Sequence, residues 1–292
     1  MTVSTPLSGV NQPLKGILLV VVATFLFSSH DALSKYLSGF YPIVMVVWAR
    51  YLVHTLLMAG IFLPQSGLRV LRTKRPLLQV VRALCLLSTS LLFTSALMFI
   101  PLAEATAVNF LAPVLVTALS VPLLGEQVTR GQWLAVICGF VGVLIVVHPG
   151  GDLFTPAVLL PFCSALFFCF YQLLTRKLAE HDSPTTSNFF AGLCNTLLMS
   201  ALVPFFWQIP SIGHGVLMLA LGACGMTAHL FLTQAFRLAA PALLAPFGYC
   251  QIVFAGLLGW LLFNHTPDAI TQVGIAVICL SGLAAAWQQR RR

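Results

Sequence analysis

The sequence predicts an all-α polytopic membrane protein: ten transmembrane helices forming two inverted five-helix repeats, residues 15–148 and 155–288. Three observations carry this. Only 8% of the 292 residues are charged and 59% are hydrophobic, whereas an ordinary soluble domain is roughly 25% charged, so most of the chain faces lipid or other helices. Apolar stretches of about 20 residues recur along the whole length, each able to cross a hydrocarbon core of about 30 Å at about 1.5 Å rise per residue. They lack two-residue alternation and exceed the roughly 10 residues of a barrel strand, so they read as helices. Third, stretches of the two halves lie over one another, at offsets of 139 and 141 residues.

The spans fall at 15–38, 42–63, 77–100, 102–124, 131–148, 155–178, 185–207, 214–236, 239–263 and 269–288. Turn and breaker residues separate them: Gly39 to Pro42, Pro64 to Pro76, Pro101, Gly125 to Gly131, Pro149 to Thr155, His181 to Pro184, Gln208 to Gly213, Ala240-Pro241 and Asn264 to Pro267. Most of these connections are too short to hold a domain. The segment Met1 to Leu14 has no basic stretch followed by a cleavage site, so no removable signal peptide is expected and the first helix is the insertion signal.

An even number of spans puts both termini on one side. Lys15, Arg69, Arg72, Lys74, Arg75, Arg130, Arg176, Lys177, Arg237 and Arg290 to Arg292 gather there, against Lys35 opposite. By the positive-inside rule both termini are cytoplasmic, and the net charge of +8 is a topological feature. It gives no basic face on a folded soluble module, so nucleic acid is not an expected partner. The eight cysteines lie inside apolar runs without CxxC spacing and read as packing residues.

The internal repeat is the most informative feature. Ala96-Leu97 opens a stretch closing at Gly125-Glu126, and Ala235-Phe236 opens one closing at Asn264-His265, at an offset of 139 without gaps. Phe27-Ser28 to Lys35-Tyr36 lies over Phe168-Cys169 to Arg176-Lys177, which pairs Asp31 with Gln172 and Lys35 with Arg176. An odd number of spans per repeat inverts the second copy. Such repeats characterise secondary transporters, whose substrate sits near the midplane between two copies that rock against each other.

The run from Ala96 to Pro113, ALMFIPLAEATAVNFLAP, followed by Leu123 to Glu126, resembles the first-repeat signature of the drug/metabolite transporter superfamily, in its EamA-type branch. Ala235 to Pro246, then Tyr249 and the closing glycine-rich helix Gly274 to Gly282, is similar to the second half of that family. The resemblance spans about residues 15–288. One departure is Asn264-His265 where the family has Gly-Glu, which makes any tether formed there pH-dependent. The resemblance implies a basket-like bundle with a central cavity lined by helices 1, 3, 4, 6, 8 and 9. It also implies small organic substrates such as amino acids, nucleotide-type metabolites, vitamins or drugs.

Charges inside a membrane cost about 2.5–3.5 kcal/mol each on insertion scales, so those that persist face a cavity or a partner. His30 and Asp31 lie about 10 Å from the outer end of helix 1, and Arg50 reaches a similar depth in helix 2. An Asp31–Arg50 pair fits that geometry, either as a pin between the helices or as a gate or proton site. Glu104 stands in the first turn of helix 4, where the helix dipole favours a carboxylate. With Thr106 and Asn109 it forms a polar run, and Asn109 is the expected hydrogen-bonding contact to substrate. Arg82 either snorkels to headgroups or offers a cation to an anionic substrate group.

In the second half Tyr171 and Gln172 occupy the positions of His30 and Asp31, retaining polarity without charge. His229 reads equally as an interhelical hydrogen-bonding group or as a proton carrier. Tyr249 and Gln251, just past Pro246 and Gly248, are assigned to the cavity. Gly139 with Gly142, and Gly222 with Gly225, read as close-packing devices; the resemblance implies that helices 5 and 10 form a dimer or scaffold edge. The 22 phenylalanines read as lipid-facing and interhelical residues.

No Walker A run, HExxH or convergent Ser/His pair is present, so the chain is not expected to be an enzyme, to use ATP directly or to carry a cofactor. His30 and Asp31, adjacent in sequence, point about 100° apart on a helix and make no dyad by spacing alone. The expectation is a proton-coupled or facilitative carrier in the inner membrane of a bacterium, surrounded by lipid and working as a monomer or homodimer. Amino-acid or metabolite efflux is the first expectation and uptake of a vitamin such as riboflavin the second. The reading from another class is a non-transporting receptor or scaffold.

Overall fold

The computed structural model describes residues 12–124, 130–148, 155–178, 181–239, 244 and 247–290. All regular structure among them is helical: α1 Pro13–Ser38, α2 Ile43–Ser66, α3 Pro76–Ala96, α4 Leu102–Asn109, α5 Ala112–Leu124, α6 Arg130–Val146, α7 Leu159–Leu178, α8 Pro184–Leu202, α9 Ile212–Leu238, α10 Cys250–Phe263 and α11 Ala269–Arg290. Six of the described helices are long and apolar enough to cross a membrane, and four shorter apolar helices accompany them. Gly125-Glu126, Ala240-Pro241 and Pro246, which carry parts of the expected turns and of the resemblance, lie outside the described residues.

The helix starts follow from local chemistry. Proline opens α1, α3 and α8, where its missing N–H is no loss. Ser183 and Ser211 cap α8 and α9 by accepting from the amides of Thr186 and His214. At the other end of α10, Asn264 adopts a left-handed φ of 52°, its amide reaching the Trp260 carbonyl and that of His265 the Gly259 carbonyl.

Several boundaries differ from expectation, two of them at prolines. The fourth span is not one helix: α4 stops at Asn109 and α5 begins at Ala112. Pro113 has no amide to give the Asn109 carbonyl and its ring crowds that carbonyl, so the ladder breaks there. Conversely α2 continues through Pro64 to Ser66, and turns at Gly67, whose φ of 56° suits glycine.

Packing pairs the halves. α1 lies along α9, and α3 along α7; α6 packs on α11, α2 on α8 and α4 on α10. In addition α2 reaches α9 as α3 reaches α8, and α1 reaches α10 as α4 and α5 reach α7. Glycines set the closest crossings. A Cβ on Gly142 would stand 2.8 Å from Ile278 Cγ1 and 3.0 Å from the Ile278 nitrogen, and one on Gly274 2.8 Å from the Val146 nitrogen. At Gly222 it would meet Val53 Cβ at 2.4 Å, so α9 touches α2 beside Arg50. Gly142 and Gly222 therefore act as the close-packing devices their sequence context suggests. Large side chains such as Leu134, Leu197, Val253 and Leu280 are exposed, as a lipid-facing surface requires.

Candidate functional site

Polar residues inside the bundle converge where the two halves meet. A chamber of about 20 Å³ is lined by Arg50, Tyr51 and His54 of α2, Tyr171 of α7, Asn188 and Gly192 of α8, and His229 of α9. That is room for about one water. The resemblance implied a cavity among helices 1, 3, 4, 6, 8 and 9; the third, sixth and eighth spans do line this chamber, through Leu86, Tyr171 and His229, and the second and seventh, α2 and α8, join them. Gly192 makes the space, because a Cβ there would come within 3.1 Å of the His54 ring.

The Asp31–Arg50 pair does not form. Asp31 accepts from the adjacent His30 at 2.9 Å and from Gln251 Nε2 of α10 at 3.3 Å. Ser28 donates to the Gln251 carbonyl, which locks the same crossing of α1 and α10. The two depths match, but the carboxylate turns toward α10 while Arg50 turns toward α3. Arg50 Nη1 donates to Ser90 Oγ at 2.9 Å, and the guanidinium lies 5.1 Å from the Tyr51 ring centre. Tyr51 hydrogen-bonds to the same Ser90 oxygen at 2.7 Å.

Arg82 does not snorkel. It is 1% exposed and donates to Thr175 Oγ1, the Ser187 carbonyl and the Tyr171 hydroxyl at 2.6, 2.8 and 2.8 Å. Three acceptors from α7 and α8 surround it, and a guanidinium keeps several donors in one plane. Among the described residues neither Arg50 nor Arg82 ion-pairs with a carboxylate.

Other expected residues lie apart from the chamber. Asn109 Oδ1 accepts from Ser164 of α7 at 3.0 Å, beside the α4–α5 break. Gln172 is half-buried and does not line the chamber. Tyr249 wedges between α10 and α11: its hydroxyl occupies the space a Cβ on Gly282 would need, and its ring tilts against Phe110 at 5.4 Å. Glu104, 2% exposed, takes His265 at 2.8 Å, so the histidine at the family's Gly-Glu position tethers α4. His229 is the expected residue that does reach the chamber beside Tyr171 and Arg50, its ring 5.0 Å from Phe27 and 6.2 Å from His54.

Sequence reasoning missed Tyr51, His54, Asn188 and Asn195. The available signal was spacing: His54 stands one turn after Arg50, and Asn188, Gly192 and Asn195 share one face of α8. His30 Nε2, His54 Nε2 and both amide atoms of Asn195 are buried without a hydrogen-bond partner. Buried polar groups are normally satisfied, so these mark a place meant for water or ligand.

Both ends of the bundle are tied across the halves. At one end Asp182, between α7 and α8, accepts from Thr73, from Gln79 at 2.8 Å and from the Lys74 amide at 3.1 Å. Burial alone would push the Asp182 carboxyl up; the hydrogen bonds from Thr73, Gln79 and Lys74 outweigh it and hold the group below its ordinary value. At the other end Tyr41 pairs with His214 at 2.9 Å and accepts from the Ser211 amide, and Glu104 pairs with His265; within the first half, Lys35 there donates to the Leu97 and Ile100 carbonyls. A cavity of about 220 Å³ opens at that second end beside Lys35, Phe99, Phe263 and His265.

The chain is similar, at full length, to proteins that move small molecules. It is 25% identical over 278 residues to an S-adenosylmethionine uptake transporter of Rickettsia prowazekii (strain Madrid E), covering 95% of this chain and 94% of that one. It is 29% identical over 288 residues to a riboflavin transporter of Vibrio cholerae, covering 96% of each. To the pseudopaline exporter CntI of Pseudomonas aeruginosa (strain UCBPP-PA14) it is 28% identical over 271 residues, 92% of this chain and 95% of that one. A crystal structure at 21% identity shares the fold, with a TM-score of 0.68 over 98% of this chain and 100% of the other. The sequence profile of the EamA-like transporter family matches twice, at residues 14–148 and 155–286. With a polar chamber between its halves and this family profile over nearly its whole length, the chain belongs to the EamA-like transporter family and is a multi-pass membrane transporter of small metabolites.

Proposed function

We propose that the chain is a secondary carrier working by alternating access around the chamber at Arg50, Tyr171 and His229. One observation carries this: the chamber is lined from both halves and tied shut at both ends by hydrogen bonds that cross between them. Pockets for small organic ligands run to about 300–1,000 Å³, so a chamber of about 20 Å³ must open before solute enters. Rocking one half against the other exchanges one set of ties for solvent access while the other set holds.

Ten spans in two inverted repeats is the architecture this requires, with α4 and α5 as one broken span. The packing supports it. Exchanging each span with the one five places later turns the α1–α9 pair into α7–α3, and the α1–α10 pair into α7 against α4 and α5. The same exchange leaves α6–α11, α2–α8 and α4–α10 unchanged. Both termini are cytoplasmic by charge distribution, in a bacterial inner membrane.

Asp31, held between His30 and Gln251, is the proton-linked group of the cycle. The named relatives include both uptake and export proteins, so the direction of flux follows the coupled gradients. Replacing Asp31 by Asn and measuring flux in proteoliposomes tests this part: flux and pH dependence should both change. Unchanged values would remove Asp31 from the mechanism.

A further inference from the structure

Resting on the carrier reading, we propose that the chamber recognises an oxyanion on the substrate, a carboxylate or a phosphate, between the Arg50 guanidinium and the Tyr171 hydroxyl. Charge is the first ground. The Arg50 guanidinium and the His54 and His229 imidazoles line the chamber, the Arg82 guanidinium stands behind it on the Tyr171 hydroxyl, and the Asp31 carboxylate is taken by His30 and Gln251. Arg82 is buried and Arg50 half-buried, neither ion-paired with a carboxylate among the described residues; uncompensated charge of this kind is costly, and a bound anion offsets that cost.

Donor geometry is the second ground. Arg50 spends one of its five N–H donors on Ser90 and lines the chamber with the rest of its fork. Tyr171 accepts from Arg82 Nη2, which leaves its own O–H proton to donate, and the residue lines the same chamber. Arg82 is thus a positioning residue acting through Tyr171. It also stacks 4.4 Å from the Tyr171 ring centre, which fixes the ring's orientation. The imidazole of His54, whose Nε2 is buried without a hydrogen-bond partner, adds hydrogen-bonding capacity for the rest of the solute.

The test uses matched pairs that differ in one acidic group: riboflavin 5′-phosphate against riboflavin, and pantothenate against pantothenol. Binding to the purified full-length protein in lipid nanodiscs is titrated at fixed ionic strength. In at least one pair the acidic member should bind about 10–100-fold more tightly than its neutral twin, the value of a charge-assisted hydrogen bond. The phosphate and carboxylate arms then separate the two oxyanions. Arg50→Gln and Tyr171→Phe should each erase most of that preference by lowering the acidic member's affinity more than the neutral member's, and Arg50→Lys should retain part of it. Tyr171→Phe keeps the aromatic ring and serves if Arg50→Gln fails to fold. Arg82→Gln should weaken anion binding in the wild-type background but add nothing to Tyr171→Phe.

Equal affinity within both pairs, no binding by either acid, or preference unaltered in the variants overturns the proposal. Saturable flux of a neutral solute that is insensitive to Arg50 would sink the oxyanion site and leave the carrier reading standing. Absence of flux for every solute would sink the carrier itself.

Discussion

Replacing Gly142 by Ala should destabilise the bundle by overpacking the crossing of α6 and α11. The added Cβ would lie 2.8 Å from Ile278 Cγ1, 3.0 Å from the Ile278 nitrogen and 3.1 Å from the Gly274 carbonyl. The side-chain atom can rotate away, but the two backbone atoms cannot, so the helices must part by several tenths of an ångström to regain ordinary contact at about 3.4 Å. Forced separation in a packed interior costs about 1–3 kcal/mol. At roughly 2 °C per kcal/mol for a chain of this size, the midpoint of thermal unfolding in detergent should fall by about 2–6 °C. Gly60→Ala is the control, since no atom stands within 4 Å of its Cβ position. There the gain in helix propensity, about 0.5–1 kcal/mol, should leave the midpoint unchanged or higher. Equal midpoints for Gly142→Ala and Gly60→Ala would refute close approach as the reason for glycine at 142.

Asp182→Asn should lower stability at neutral pH, read by the same thermal assay. Because the folded carboxyl sits below its ordinary value, its contribution is complete above about pH 4 and is lost as pH falls through that depressed value. The gap between wild type and variant should therefore close in acid. A double-mutant cycle on Glu104→Gln and His265→Ala should return a coupling of about 0.5–3 kcal/mol, since the two side chains are in direct contact and removing His265 strands the buried Glu104 oxygen. Ser183→Ala, which removes the cap on α8, should cost about 1 kcal/mol in chemical denaturation.

The membrane-embedded class was legible because it needs nothing but length and composition. Six of the predicted spans reappear as helices long enough to cross a bilayer. The break at Phe110 was legible in principle from Pro113, but a continuous apolar run hid it. The site was harder. Depth along a helix can be counted from sequence, which placed Asp31 and Arg50 level with each other. Rotation about the helix axis cannot, and rotation sends Asp31 to Gln251 and Arg50 to Ser90. For Arg82 the sequence leaves two readings, a snorkelling cation or a cation for an anionic substrate group; only tertiary structure brings Thr175, Ser187 and Tyr171 around it. His54 escaped notice because no charge flags it, although it follows Arg50 by one turn.

The most direct test of the carrier mechanism is solute flux through a protein locked at one end. Thr73 donates to Asp182 across the two halves, so cysteines at these positions, in a background without the native ones, are placed to cross-link them. Counterflow into proteoliposomes would be measured for riboflavin, S-adenosylmethionine and a panel of metabolic carboxylates and phosphates. The account predicts saturable flux of at least one solute that stops on oxidation and returns on reduction. Saturable flux that continues through the oxidised protein would contradict it.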